Sequence, residues 1–159
     1  MKTKMALLVI LLAALFLVLP VYARMNLEQQ VPFIAYVKYI GSATSGPPPW
    51  YQDVYGSGTC THMGKISVYQ HHMVVPAADG GVDALDGVFF WTAANGDIVQ
   101  GTYSAHMLPN PAGYLDIHGY WYVTGGTGRF AHATGEGPAS GIQNFDGTGD
   151  LFCDGWIEY

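Results

Sequence analysis

Six histidines and two cysteines are the side chains of this sequence best suited to bind a metal or move a proton, and their spacing restricts what they can do. No His-x-His, His-Glu-x-x-His or Cys-x-x-Cys pattern occurs, so no metal site and no cofactor is expected. His71 and His72 are adjacent, and on a strand they point to opposite faces, which rules out simple chelation by that pair. His62 shares its parity with Cys60, Gly64, Ile66 and Val68, and a small neighbour such as Gly64 leaves room beside an inward ring. It is therefore a candidate ligand-binding residue, the alternative being a core histidine held by a backbone carbonyl. Asp116, His118 and Tyr120 share one face of an alternating run, and His106 lies on the preceding run. Turned inward, these four make a candidate ligand-binding or acid–base group; turned outward, they are surface polars. Ser57, Ser67, Ser104 and Ser140 lack the Gly-x-Ser-x-Gly context of a nucleophile elbow, so hydrolase chemistry is disfavoured and no catalytic residue is assigned.

The elements that must carry these residues read as strands. Residues 32–40 mix aromatic and β-branched side chains on both faces, and 56–70 alternates cleanly as one strand. Gly46 and three prolines, 47–49, make a loop from which Trp50 and Tyr51 fold back over the barrel's side or mouth. Residues 77–87 read as a loop of Gly, Asp and Ala, and 88–94 as a strand. Asn95-Gly96 predicts a two-residue type I′ hairpin into a strand ending near Met107. Residues 114–124 alternate Leu115, Ile117, Gly119, Trp121 and Val123 against Tyr114, Asp116, His118, Tyr120 and Tyr122. The second set is amphipathic and suits a wet cavity or a subunit interface, which leaves a homo-oligomer open. Residues 135–143 form a small-residue strand, Asp146-Gly147 a turn, and 149–159 the closing strand. The whole is all-β: an antiparallel, about eight-stranded meander barrel, preceded by a cleavable signal helix.

That helix is residues 1–23. Lys2 and Lys4 precede an apolar run from Met5 to Leu19, Pro20 breaks it, and a small-residue site ends at Ala23. The run is shorter than the roughly 20 residues a membrane span needs, so cleavage is favoured over a retained anchor and no stable membrane span is expected after processing. Residues 24–159 then form a single barrel domain, secreted or periplasmic. Loss of both lysines leaves four basic against twelve acidic residues, so the formal charge moves from −6 to −8 and nucleic acid is not an expected partner. With 50% hydrophobic and 11% charged residues the chain has an interior to fill.

In an exported compartment Cys60 and Cys153 are candidates for a disulfide. Both fall on inward parities, Cys153 with Leu151 and Ile157, and the loop they would close is worth on the order of 4 kcal/mol. Two buried free thiols, packing as small hydrophobes, are the alternative.

One stretch is specified more sharply than the rest. Gly125, Gly126 and Gly128 follow an apolar strand, and Phe130, Ala133 and Gly135 follow them at the spacing of one helical turn that drops an aromatic plug and stops. Arg129 is its one charged group, free to pair with a carboxylate such as Asp116 or with an anionic ligand at the mouth. Phosphate binding is disfavoured because neither a Lys-Ser/Thr pair nor a long helix follows. The run 125–135 resembles the Gly-Gly-Thr-Gly-x-Phe-x-x-Ala-x-Gly signature of dirigent proteins and the wider allene oxide cyclase-like barrel superfamily. Residues 58–64 and 92–97 resemble stretches of that barrel's small secreted bacterial relatives. The resemblance implies an eight-stranded barrel with a small cavity; the superfamily's charged and polar pocket residues have no matching positions here, so an activity does not transfer. The expected function is an exported barrel that binds a small apolar or aromatic ligand. The alternative is a cyclase or isomerase that guides the conformation of a reactive substrate.

Overall fold

The computed structural model describes residues 29–159. The expected signal peptide, 1–23, and the cleavage after Ala23 lie outside the described residues. Among those described, no helix is long and apolar enough to cross a membrane.

Ten strands follow in order: β1 Val31–Pro32, β2 Ala35–Ala43, β3 Trp50–Cys60, β4 Gly64–Pro76, β5 Val82–Ala93, β6 Ile98–Asn110, β7 Tyr114–Gly126, β8 Thr134–Asn144, β9 Thr148–Cys153 and β10 Trp156–Glu158. Every pairing is antiparallel. Neighbours in sequence pair from β2 to β9, and β2 also pairs β9, so these eight strands close into a barrel. β10 continues the line of β9 past a break at Asp154-Gly155, and β1 lies beside it. Closure removes free strand edges, which an open sheet of this size would have to protect.

Glycines set the hairpins. Gly80, Gly96, Gly113 and Gly147 all have φ between 87° and 94°, and each donates its N–H to the carbonyl three residues back. The β5–β6 connection therefore differs from the expected type I′ turn: Ala94 and Asn95 are central, and only Gly96 takes a positive φ, as in a type I turn closed by a bulge glycine.

Three further expectations change. The run 56–70 is two strands, because Thr61, His62 and Met63 form a tight turn in which His62 (φ 63°) and Gly64 (φ 72°) adopt left-handed backbone. A three-residue turn preserves parity, so alternation alone cannot reveal it. The loop after β4 ends at Gly81, since partners on both sides draw residues 82–87 into β5 with one extra residue near Leu85-Asp86. Cys60 and Cys153 are free thiols, not a disulfide. Both are buried and share the interior, but each is in register with Ala35, one on either side of β2. Two strand spacings of about 4.8 Å hold the backbones farther apart than the roughly 7 Å limit for a bridge.

The interior contains two packed clusters. The larger gathers Phe33, Phe89, Trp91, Trp121, Phe130 and Ile157 toward the end that carries the 125–135 stretch; the smaller is Ala84, Met107 and Ile117. Interior glycines make room for the rings: a Cβ on Gly87 would stand 2.6 Å from the Tyr103 ring, on Gly101 2.7 Å from Phe89, and on Gly155 2.6 Å from Trp121.

Candidate functional site

Between the two clusters the barrel keeps a cavity of about 60 Å³. Val54, Phe89, Trp91, Met107, Trp121 and Leu151 supply most of an apolar wall, and no Asp, Glu, Lys or Arg lines it. Its polar side chains are Tyr39, Gln70, His72, Tyr103, Ser104, Tyr120, Gln143 and the two tryptophans.

β4 positions the central one. Its alternation sends Ile66, Val68, Gln70, His72 and Val74 inward without interruption, and His72 is 5% exposed. Tyr103 reaches it from β6, across the gap that Gly87 leaves open. His72 Nδ1 lies 2.5 Å from the Tyr103 hydroxyl, with the rings edge to face at 5.7 Å. Burial pushes the His72 pKa down to about 4 and the Tyr103 pKa upward, so both are neutral at physiological pH. Since the hydroxyl keeps its proton and has no other acceptor among the described residues, it donates to Nδ1, and the imidazole carries its proton on Nε2. Among the described residues that buried Nε2 has no hydrogen-bond partner, and neither has Trp91 Nε1. Trp121 Nε1, by contrast, donates to the Pro138 carbonyl at 3.1 Å. The thiols of Cys60 and Cys153 are pushed up to about 12 by burial, which removes them as nucleophiles at neutral pH.

The residues singled out from sequence sit elsewhere. His62 is exposed in the β3–β4 turn, where Nε2 lies 3.1 Å from the Pro32 carbonyl oxygen, so it is not an inward strand residue. His106, Asp116, His118 and Tyr120 face outward. His106 and His118 are register partners, and Tyr120 lines the same shallow outer groove, while Asp116 accepts from Asn110 at 2.6 Å. Of the four, Tyr120 also lines the cavity, whereas His106, Asp116 and His118 do not. His106 is clamped between two carboxylates, with Nδ1 2.6 Å from Asp83 and Nε2 2.9 Å from Asp79; the Asp83 hydrogen bond leads in raising its pKa. His71 faces outward, opposite to His72, and meets Asp53 at 2.9 Å. Among the described residues no group of three or more His, Cys, Asp or Glu side chains is placed to hold a metal ion.

The 125–135 stretch leaves the barrel end of β7, makes one 3₁₀ turn at Gly128–Phe130 and enters β8. Phe130 is fully buried against Tyr159, with ring centroids 4.8 Å apart, and Gly128 adopts φ 58° where a side chain would collide with Asp97. Arg129 pairs with Asp97 at 3.4 Å and donates to the His62 carbonyl, so its partner is the β5–β6 hairpin and not Asp116.

His72 was legible in principle. Extending the Ile66, Val68 parity by two steps reaches Gln70 and His72; His62 lost its place because the turn ended the strand. Nothing in the spacing could have paired His72 with Tyr103, which lies 31 residues away on a strand that is not its neighbour. Comparison with family models, with curated proteins and with solved structures finds no match to this chain.

Proposed function

We infer that this chain is an exported ligand-binding barrel whose interior takes a small apolar or aromatic molecule. The observation that carries the reading is a closed barrel that leaves an apolar cavity with two unpartnered N–H groups among its lining side chains. A void of that kind costs stability, roughly 24 cal/mol per Å³ in core-truncation series, and an occupant would recover part of it. The N-terminal pattern of residues 1–23 supports export, and the glycine-rich plug supports kinship with allene oxide cyclase-like barrels.

Binding is favoured over the cyclase or isomerase alternative by the His72–Tyr103 pair. It is the one hydrogen-bonded His–Tyr pair in the cavity among the described residues, yet His72 is held near pKa 4 and Tyr103 above its usual range, so neither exchanges a proton readily near neutral pH. Toluene and phenol are suitable first probes. Trp91 and Trp121 line the cavity, so their fluorescence should change on titration, and ten Kd of ligand should add about 1.4 kcal/mol of stability. Filling the void with Ala105→Leu should abolish the response. An unchanged response in that variant, or no response in the parent, would count against the cavity as the site.

A further inference from the structure

We propose that the cavity selects a neutral molecule bearing a carbonyl-type acceptor oxygen, a ketone, ester or lactone, and rejects carboxylates and ammonium ions of the same shape. This rests on the reading of the cavity as a ligand site and adds to it the class of ligand.

The two fully buried unpartnered groups are both donors. Trp91 offers only an N–H, and the His72 tautomer set by Tyr103 offers an N–H at Nε2. A buried donor without an acceptor is costly, and few survive in folded proteins without a reason. Both residues line the same small cavity. What completes the site is an acceptor, which hydrocarbons lack. Charge is excluded separately: no ionised side chain lines the wall and the histidine is neutral, so a carboxylate or ammonium would enter an apolar space with no counter-charge. The remaining choice is a neutral acceptor on an apolar body, which fits a wall built from Val54, Phe89, Met107 and Leu151.

Three probes of one shape test this: methyl propyl ketone, butyrate, and the hydrocarbon in which a methylene replaces the ketone oxygen. The full mature chain, isotope-labelled, is titrated with each while the indole N–H resonances are followed by NMR. The ketone should bind about tenfold or more tighter than either analogue, the worth of a buried hydrogen bond, and should shift the Trp91 indole proton downfield. Trp91→Phe and, independently, His72→Phe should each shrink the ketone's advantage over the hydrocarbon severalfold while leaving hydrocarbon affinity near its parent value. Two variants guard against one that fails to fold. Equal binding of ketone and hydrocarbon, or preference for butyrate, overturns the acceptor inference and leaves the cavity as a ligand site. If none of the three moves a cavity resonance and only water occupies the void, both the inference and the reading beneath it fall.

Discussion

The plug end of the barrel and the cavity above it share aromatic side chains but use them differently. At the plug end Phe33 stacks on Trp91 at 5.9 Å and meets Trp121 at 5.7 Å, Phe130 closes against Tyr159, and the space is filled. At the cavity Phe89, Trp91 and Trp121 line a void in which Tyr103 partners His72 Nδ1 while His72 Nε2 and Trp91 Nε1 have no partner among the described residues. The difference teaches that one closed barrel can be stabilised by dry packing at one end while holding an imperfectly satisfied polar layer a short distance away. The two ends should therefore answer differently to substitution and to pH.

The largest effect belongs to the plug. Phe130→Ala should cost about 3–5 kcal/mol, measured by denaturant unfolding, because a fully buried ring leaves a hole between Tyr159 and the glycine-lined turn. A loss below about 1 kcal/mol would mean that the end is not the packed half of the comparison.

Acid should act on the cavity. His72 has its folded pKa lowered from 6.5 to about 4, so below pH 6.5 the unfolded chain takes up a proton that the folded chain refuses. Stability is then lost as pH falls from 6.5 to 4 and the loss levels off beyond, amounting to about 3 kcal/mol. Asp53 and Asp79, whose folded pKa values are lowered, also destabilise in acid, so the test is the difference between parent and His72→Phe over that window. Parallel curves would remove the buried imidazole from the account.

A smaller effect sharpens the contrast between the two indoles. Trp121→Phe removes a donor from the Pro138 carbonyl, whereas Trp91→Phe removes a group with no partner. The first should cost about 1 kcal/mol more than the second in parallel thermal melts.

Outside the barrel the effects should be smallest. Arg129→Ala, which breaks a partly exposed ion pair with Asp97, should cost less than about 1 kcal/mol beyond its contact with the plug. His106 should titrate above the usual histidine value by NMR. Its clamp is fully formed below pH 6.5 and is released as pH rises through the raised pKa, with Asp83→Asn bringing that pKa down. A His106 that titrates below His72 would invert the comparison.

Parity and turn chemistry carried much of the fold, because both are local. The 3.3 Å rise of a strand alternates faces without reference to partners, and Gly96 and Gly147 mark hairpins because glycine backbone takes a positive φ cheaply. The same locality misread two features. Cys60 and Cys153 were correctly inward, yet only the pairing of β2 with both β3 and β9 shows that Ala35 stands between them. His62 and His72 differ by ten positions and thus share a parity, and the turn at 61–63, which conserves parity, exposes one and buries the other.

By itself, then, the sequence determined an all-β chain with its turns, its inward and outward sets, and an aromatic stop after β7. Tertiary closure decided the rest. The cavity exists only because β2 meets β9 and encloses side chains whose volumes fall short of the interior, and the His72–Tyr103 pair only because β4 and β6 bring two distant inward positions within hydrogen-bond reach. The pKa of His72 follows from that enclosure, since desolvation belongs to the surroundings of a residue and not to its type.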